Sequence, residues 1–205
     1  KPIAETLVTM APDVGTSTNL NASMDGRIFG PDAQDFEEEY GVKDNKLPDI
    51  VPHESEFSKH IRFDIAEGNA MTCVGSYGKM GDLAGIPFMP VMTVYDFFIK
   101  RALDQYFYNA YWASSFVCVG TPAGVTLSPE GAQHAWKSDI QIANSLTWEP
   151  CFPIEMDWVL SETYRRHLMT FIEGKDSPHS NTGRSAVIVR GVTRGLEHKE
   201  MQKRL

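Results

Sequence analysis

The chain has 205 residues, of which 42% are hydrophobic and 22% charged, and it carries a formal net charge of -8. This composition excludes a fibrous or intrinsically disordered chain and is enough for one main domain with a substantial core. The acidic balance provides no basic field for nucleic acid or anionic lipid, so small-molecule or protein partners are expected.

In chain order, Leu7 to Met10 reads as a short buried strand that runs into APDVGTSTNL, a turn rich in Gly, Ser, Thr and Asn. From Asn21 to His60 the composition changes to ten acids against four Lys and Arg. This stretch, about residues 21–60, reads as a loop-rich acidic insertion with a solvated face at Glu37 to Glu39. Ile61, Phe63 and Ile65 then alternate as a strand should, and Ala66 through Tyr77 carries the small and apolar residues of a closely packed helix. Glu67 falls where the two meet. In the first turn of a helix its carboxylate faces the positive end of the helix dipole, which by itself accounts for a stabilising acid and nothing more.

Ile86 to Val94 reads as a buried strand, followed by a helix from about Phe97 to Trp112. SFVCVG (Ser115 to Gly120) is a further β-rich run, followed by a long loop and a helical stretch around Ser138 to Ser145. LTWEPCF is another strand candidate, Ile154 to Glu173 a periodic helix, GKDSPHSNTG a polar loop and AVIVRGV a closing strand. Strands alternating with helices at this spacing predict an α/β domain, with a mainly parallel twisted sheet flanked by helices, over residues 1–192. Residues 193–205 read as a linker toward a further domain. In such sheets ligands sit beyond the carboxyl ends of the strands. That rule selects APDVGTST, the segment bearing Glu67, the turn from Tyr95 to Phe98, and the loop TPAGVTLSPEGAQH, which together would gather Asp13, Glu67, Tyr95, Phe98, Glu130 and His134.

Cys73, Cys118 and Cys151 are odd in number, far apart and set in apolar runs, so they read as buried free thiols. With six histidines lacking HxH or HxxxH spacing they form no zinc motif, and no metal ligands are assigned. No apolar run reaches membrane-spanning length, because Lys100 and Arg101 interrupt the best candidate, and no secretory leader is read at KPIAETLVTMAP. A cytoplasmic location is the expectation.

The ordered motifs PDVGTSTNL, IAEGNAM, VYDFFIKRALDQ, GVTLSPEGAQH and WEPCF cover most of the chain. Their succession resembles the pyrimidine-binding domain of thiamine-diphosphate enzymes of the transketolase superfamily. FFIKRALDQ resembles the helix after the cofactor-stacking aromatic of deoxyxylulose-phosphate synthase. PDVGTSTNL, SPEGAQHAW and GRSAVIVRGVTRGLE look more like homodimeric pyruvate dehydrogenase, the decarboxylating first component of its complex.

The resemblance implies that Glu67 is the catalytic glutamate that bonds a ring nitrogen of the aminopyrimidine. Aspartate would be a methylene too short for this bond, and glutamine cannot exchange the proton. It implies that Tyr95 and Phe98 stack on the pyrimidine, that Glu130 and His134 face thiazole and substrate, with His134 moving protons, and that Asp13 makes a polar contact near the cofactor or the dimer partner. The diphosphate and its Mg²⁺ are held in this superfamily by a GDG motif and a later Asn on another domain. GDG does not occur here, so the chain is expected to be the central part of a longer enzyme, or a subunit that needs a partner, and the resemblance implies a homodimer for the complete enzyme. Two other functions fit the same fold: transketolase-like two-carbon transfer between sugar phosphates, and a non-catalytic interaction module.

Overall fold

In the computed structural model the described residues are 5–12, 28–29, 60–123, 145–173, 186–193, 196–197, 199 and 202–203. Their strands are β1 (Leu7–Ala11), β2 (Ile28–Phe29), β3 (His60–Arg62), β4 (Met89–Tyr95), β5 (Phe116–Thr121), β6 (Ser145–Trp148) and β7 (Ala186–Arg190). They form one seven-stranded sheet in the order β2-β3-β1-β4-β5-β7-β6. Every pairing in it is parallel. Helix α1 (Glu67–Ala84) joins β3 to β4, a 3-10 helix (Asp96–Ala102) runs directly into α2 (Leu103–Tyr111), and α3 (Pro153–Glu173) joins β6 to β7. The protein is an α/β fold with helices on both sides of a parallel sheet, as the alternation of apolar runs predicts.

The strands sort their side chains with period two. Val8, Met10, Met92, Val94, Phe116, Cys118, Ala186 and Ile188 face α1, the 3-10 helix and α2. Val91, Val117, Val187 and Val189 face the opposite side, where Met156, Val159, Leu160 and Tyr164 of α3 cover them. Burial on both faces explains why these strands read as continuous apolar runs. Helix α1 buries Glu67, Ala70, Met71, Val74 and Gly75, a stripe at helical spacing. The same line continues to Gly78, where a Cβ would lie 2.9 Å from the carbonyl carbon of Ser115 and closer still to its oxygen. Backbone cannot yield there as a flexible side chain would. Gly78→Ala is therefore expected to destabilise the fold by about 1–3 kcal/mol, read from the urea midpoint; an unchanged midpoint would mean that α1 can lift off the sheet.

Several boundaries differ from the sequence reading. Strand β3 stops at Arg62, so Phe63 and Ile65 do not continue it, and Ile65 is 70% exposed. The cause is Asp64, whose φ of 51° turns the chain into the left-handed region, with the Ala66 amide donating to the Asp64 carbonyl at 2.7 Å. The acidic segment contributes the short strand β2, and its last residue, His60, belongs to β3. The first two turns of the expected Phe97 to Trp112 helix are 3-10. Ser145 opens β6 instead of closing a helix, and β6 ends at Trp148, before the Glu-Pro-Cys-Phe of its motif. All three cysteines are free, but only Cys118 is fully buried. The rest of the Asn21 to His60 segment and of the loop after Ala123 lies outside the described residues, and no described helix is long and apolar enough to cross a membrane.

His60 is wholly buried between β1 and β2, with Nδ1 2.9 Å from Thr9 Oγ1 and no hydrogen-bond partner for Nε2 among the described residues. Burial, reinforced by the Arg62 charge, lowers its pKa to about 4. The unfolded chain, with an ordinary His pKa of about 6.5, binds this proton first. Stability from His60 is thus fully present above about pH 6.5 and is lost as pH falls through about 4. Acidifying from about pH 7 to about pH 4.5 is expected to remove about 2–3 kcal/mol that His60→Gln would not lose. Parallel pH profiles of urea stability for the two proteins would contradict this.

Candidate functional site at the carboxyl edge of the sheet

The chain leaves β1 toward β3 and leaves β4 toward β5, so the crevice at their carboxyl ends is the switch point where parallel sheets receive ligands. Two elements bring side chains to it. The tight Asp64 turn starts α1 at once, which sets Glu67 at the first helical position with its side chain 7% exposed. No side chain caps this helix start, so the acid itself meets the dipole. Across the crevice, the 3-10 helix buries Asp96, Ile99 and Ala102, spaced at its repeat of three residues per turn. The same repeat eclipses Phe98 with Arg101 and Phe97 with Lys100. The Arg101 guanidinium carbon accordingly lies 4.7 Å from the Phe98 ring centroid and the Lys100 ammonium 5.4 Å from that of Phe97.

Arg101 closes the arrangement. Its Nη1 donates to Glu67 Oε1 at 2.8 Å, linking the start of α1 to the 3-10 helix. With the arginine side chain 52% exposed, the pair contributes about 1 kcal/mol or less. Tyr95 meets Phe98 edge to face at 6.1 Å between centroids, and Phe97 meets it at 5.8 Å. Arg101 thus links Glu67 to Phe98 and, through that ring, to Tyr95, whereas Asp13, Glu130 and His134 lie outside the described residues.

Beneath this surface lies an ion-pair network that the sequence reading did not single out. Arg190, at the end of β7, donates from Nε to Asp96 Oδ1 at 3.1 Å, from Nη2 to Asp96 Oδ2 at 2.8 Å, and from Nη1 to Glu149 Oε1 at 2.6 Å. Asp96 is inaccessible and the Arg190 side chain is 4% exposed, while Glu149 opens to solvent. Burial pushes the Asp96 carboxyl up from its ordinary pKa, and the Arg190 bonds and charge oppose that push. Gly120, paired with Arg190 in the sheet, makes room: a Cβ there would stand 2.5 Å from Asp96 Oδ1. The network ties the first residue of the 3-10 helix to β7 and so fixes the element that carries Phe98 and Arg101. Its signal in the sequence was one acid in VYDFF and one base in AVIVR, opposite charges at the ends of two apolar runs.

Chemically, the edge offers a nearly buried carboxylate beside an aromatic ring, with a flat cation held between them. Fold and site together define a parallel α/β protein in which Arg101 links a nearly buried acid to an aromatic turn at the carboxyl edge of the sheet. No protein-family model and no curated protein matches the chain.

Proposed function

We propose that this chain is the pyrimidine-binding part of a thiamine-diphosphate-dependent 2-oxo acid dehydrogenase of the pyruvate dehydrogenase type. The observation that carries the reading is Glu67, nearly buried at the first position of a helix that begins at the carboxyl edge of a parallel sheet, beside the aromatic 3-10 turn. When bound, thiamine diphosphate supplies the electron sink for decarboxylation. The role of Glu67 is to share a proton with a ring nitrogen through its carboxyl, out of contact with water. Phe98 and Tyr95 position the ring and keep the site dry. His134, with Glu130 four residues before it, moves protons near the substrate, and Asp13 contacts cofactor or partner; these three roles rest on the motifs alone.

The diphosphate and Mg²⁺ ligands belong in this reading to another domain or chain, and the complete enzyme is a cytoplasmic homodimer. Phe107, Tyr108, Tyr111 and Trp112 support an association surface: all four are substantially exposed on or just after α2, which follows the site element directly. Three free thiols accord with a reducing compartment.

The reading is tested by assembling the chain with the diphosphate-binding domain encoded with it and assaying oxidative decarboxylation of pyruvate. Turnover of pyruvate is the expected result; two-carbon transfer from xylulose 5-phosphate in its place would make the enzyme transketolase-like, and neither reaction would favour a non-catalytic module. Phe98→Ala is expected to weaken thiamine diphosphate binding by about 1 kcal/mol or more. Unaltered affinity in calorimetry would move the ring contact to Tyr95 or Phe97.

A further inference from the structure

We infer that Arg101 is a built-in placeholder, filling from within the chain the slot that Glu67 and Phe98 form for a flat nitrogen base; the identity of that base rests on the function proposed above. A guanidinium is planar, donates along its edge and stacks on its face. Arg101 uses both properties at once, bonding Glu67 Oε1 at 2.8 Å and lying over Phe98 at 4.7 Å. An aminopyrimidine would need the same two contacts in the same relation.

The difference in exposure across the pair gives the contact its direction. Glu67 is 7% exposed and Arg101 is 52% exposed. A nearly buried carboxylate without a partner is costly, so the slot needs an occupant to stay formed. The arginine has its own route to water and regains hydration when it leaves, which makes its departure cheap. Arg190 is the contrast within the same protein. Its side chain is 4% exposed and bonded to Asp96 and Glu149 from three nitrogens, and it is a fixed part of the frame. Arg101 has one ion pair, one ring and open solvent. Arrival of the base transfers both contacts to the ligand and releases the guanidinium outward.

Two probes test this by calorimetry or ligand-observed NMR on the chain as it stands: benzamidinium, a flat cation, and 4-amino-5-hydroxymethyl-2-methylpyrimidine, the ring half of the cofactor. Arg101→Ala is expected to bind benzamidinium about two- to fivefold more tightly than the wild type, as the loss of an exposed competing ion pair allows, and the gain is expected to vanish in the Arg101→Ala, Glu67→Gln double variant. Arg101→Lys, which keeps the charge and loses the plane, is expected to show a smaller gain and guards against misfolding of the alanine variant. Equal benzamidinium affinity in wild type and both single variants would overturn the placeholder. A gain for benzamidinium without one for the aminopyrimidine would uphold the placeholder and overturn the cofactor assignment.

Discussion

Arg190→Met is expected to lower the stability of the protein by about 3–5 kcal/mol, the usual loss when one partner of a buried ion pair is removed. The side chains of the pair are 4% and 0% exposed, and the fork of two bonds from Arg190 to Asp96 leaves no room for water to take over. Methionine preserves much of the volume, so the loss reports the stranded carboxylate and not a cavity. The variant is expected to recover part of its stability in the Asp96→Asn, Arg190→Met pair, because the uncompensated charge is then gone. Urea denaturation measures both, and a loss below about 1 kcal/mol for Arg190→Met would mean that Asp96 is not desolvated as the structure has it. Because Asp96 begins the 3-10 helix, the same variant should loosen the element that carries Phe98 and Arg101.

Under the proposed function, Glu67→Gln is expected to slow proton exchange at the thiazolium carbon of thiamine diphosphate at least tenfold in the assembled enzyme, corresponding to roughly 1.4 kcal/mol of barrier. Glutamine fills the same space and can still accept a bond from Arg101, so helix α1 should keep its start. What it lacks is a carboxyl able to share and exchange a proton. Deuterium exchange followed by NMR reads the effect independently of the acyl acceptor. Unchanged exchange would leave Glu67 as a first-turn acid that stabilises its helix and does nothing else.

The parallel core was legible in the sequence because its strands are covered on both faces: VCV and AVIV are apolar without interruption and LVTM is broken only by Thr9, and the small and apolar residues from Ala66 to Tyr77 suit a closely packed helix. Glu67 and the aromatic turn could be picked out because both sit at strand-to-helix junctions, where sheet topology directs ligands. Other features were hidden for stated physical reasons. The alternation of Ile61, Phe63 and Ile65 promised three residues of strand too many, since nothing in it announces the left-handed Asp64. A seven-residue 3-10 run cannot be told from an α-helix by period alone, yet it decides that Phe98 and Arg101 eclipse. Strand β2 has two residues, too few for any pattern. Asp96 and Arg190 are 94 residues apart, and only the sheet order brings their ends together.

Calorimetric titration of thiamine diphosphate with Mg²⁺, into the chain alone and into its mixture with whatever diphosphate-binding domain its gene or operon encodes, tests the proposal that this chain supplies one half of a split cofactor site. Saturable binding is expected in the mixture and none, or far weaker, in either part. Absence of binding in the mixture, with both partners folded, would contradict the proposal and leave a parallel α/β module whose Glu67, Arg101 and Phe98 cluster has no role in binding this cofactor.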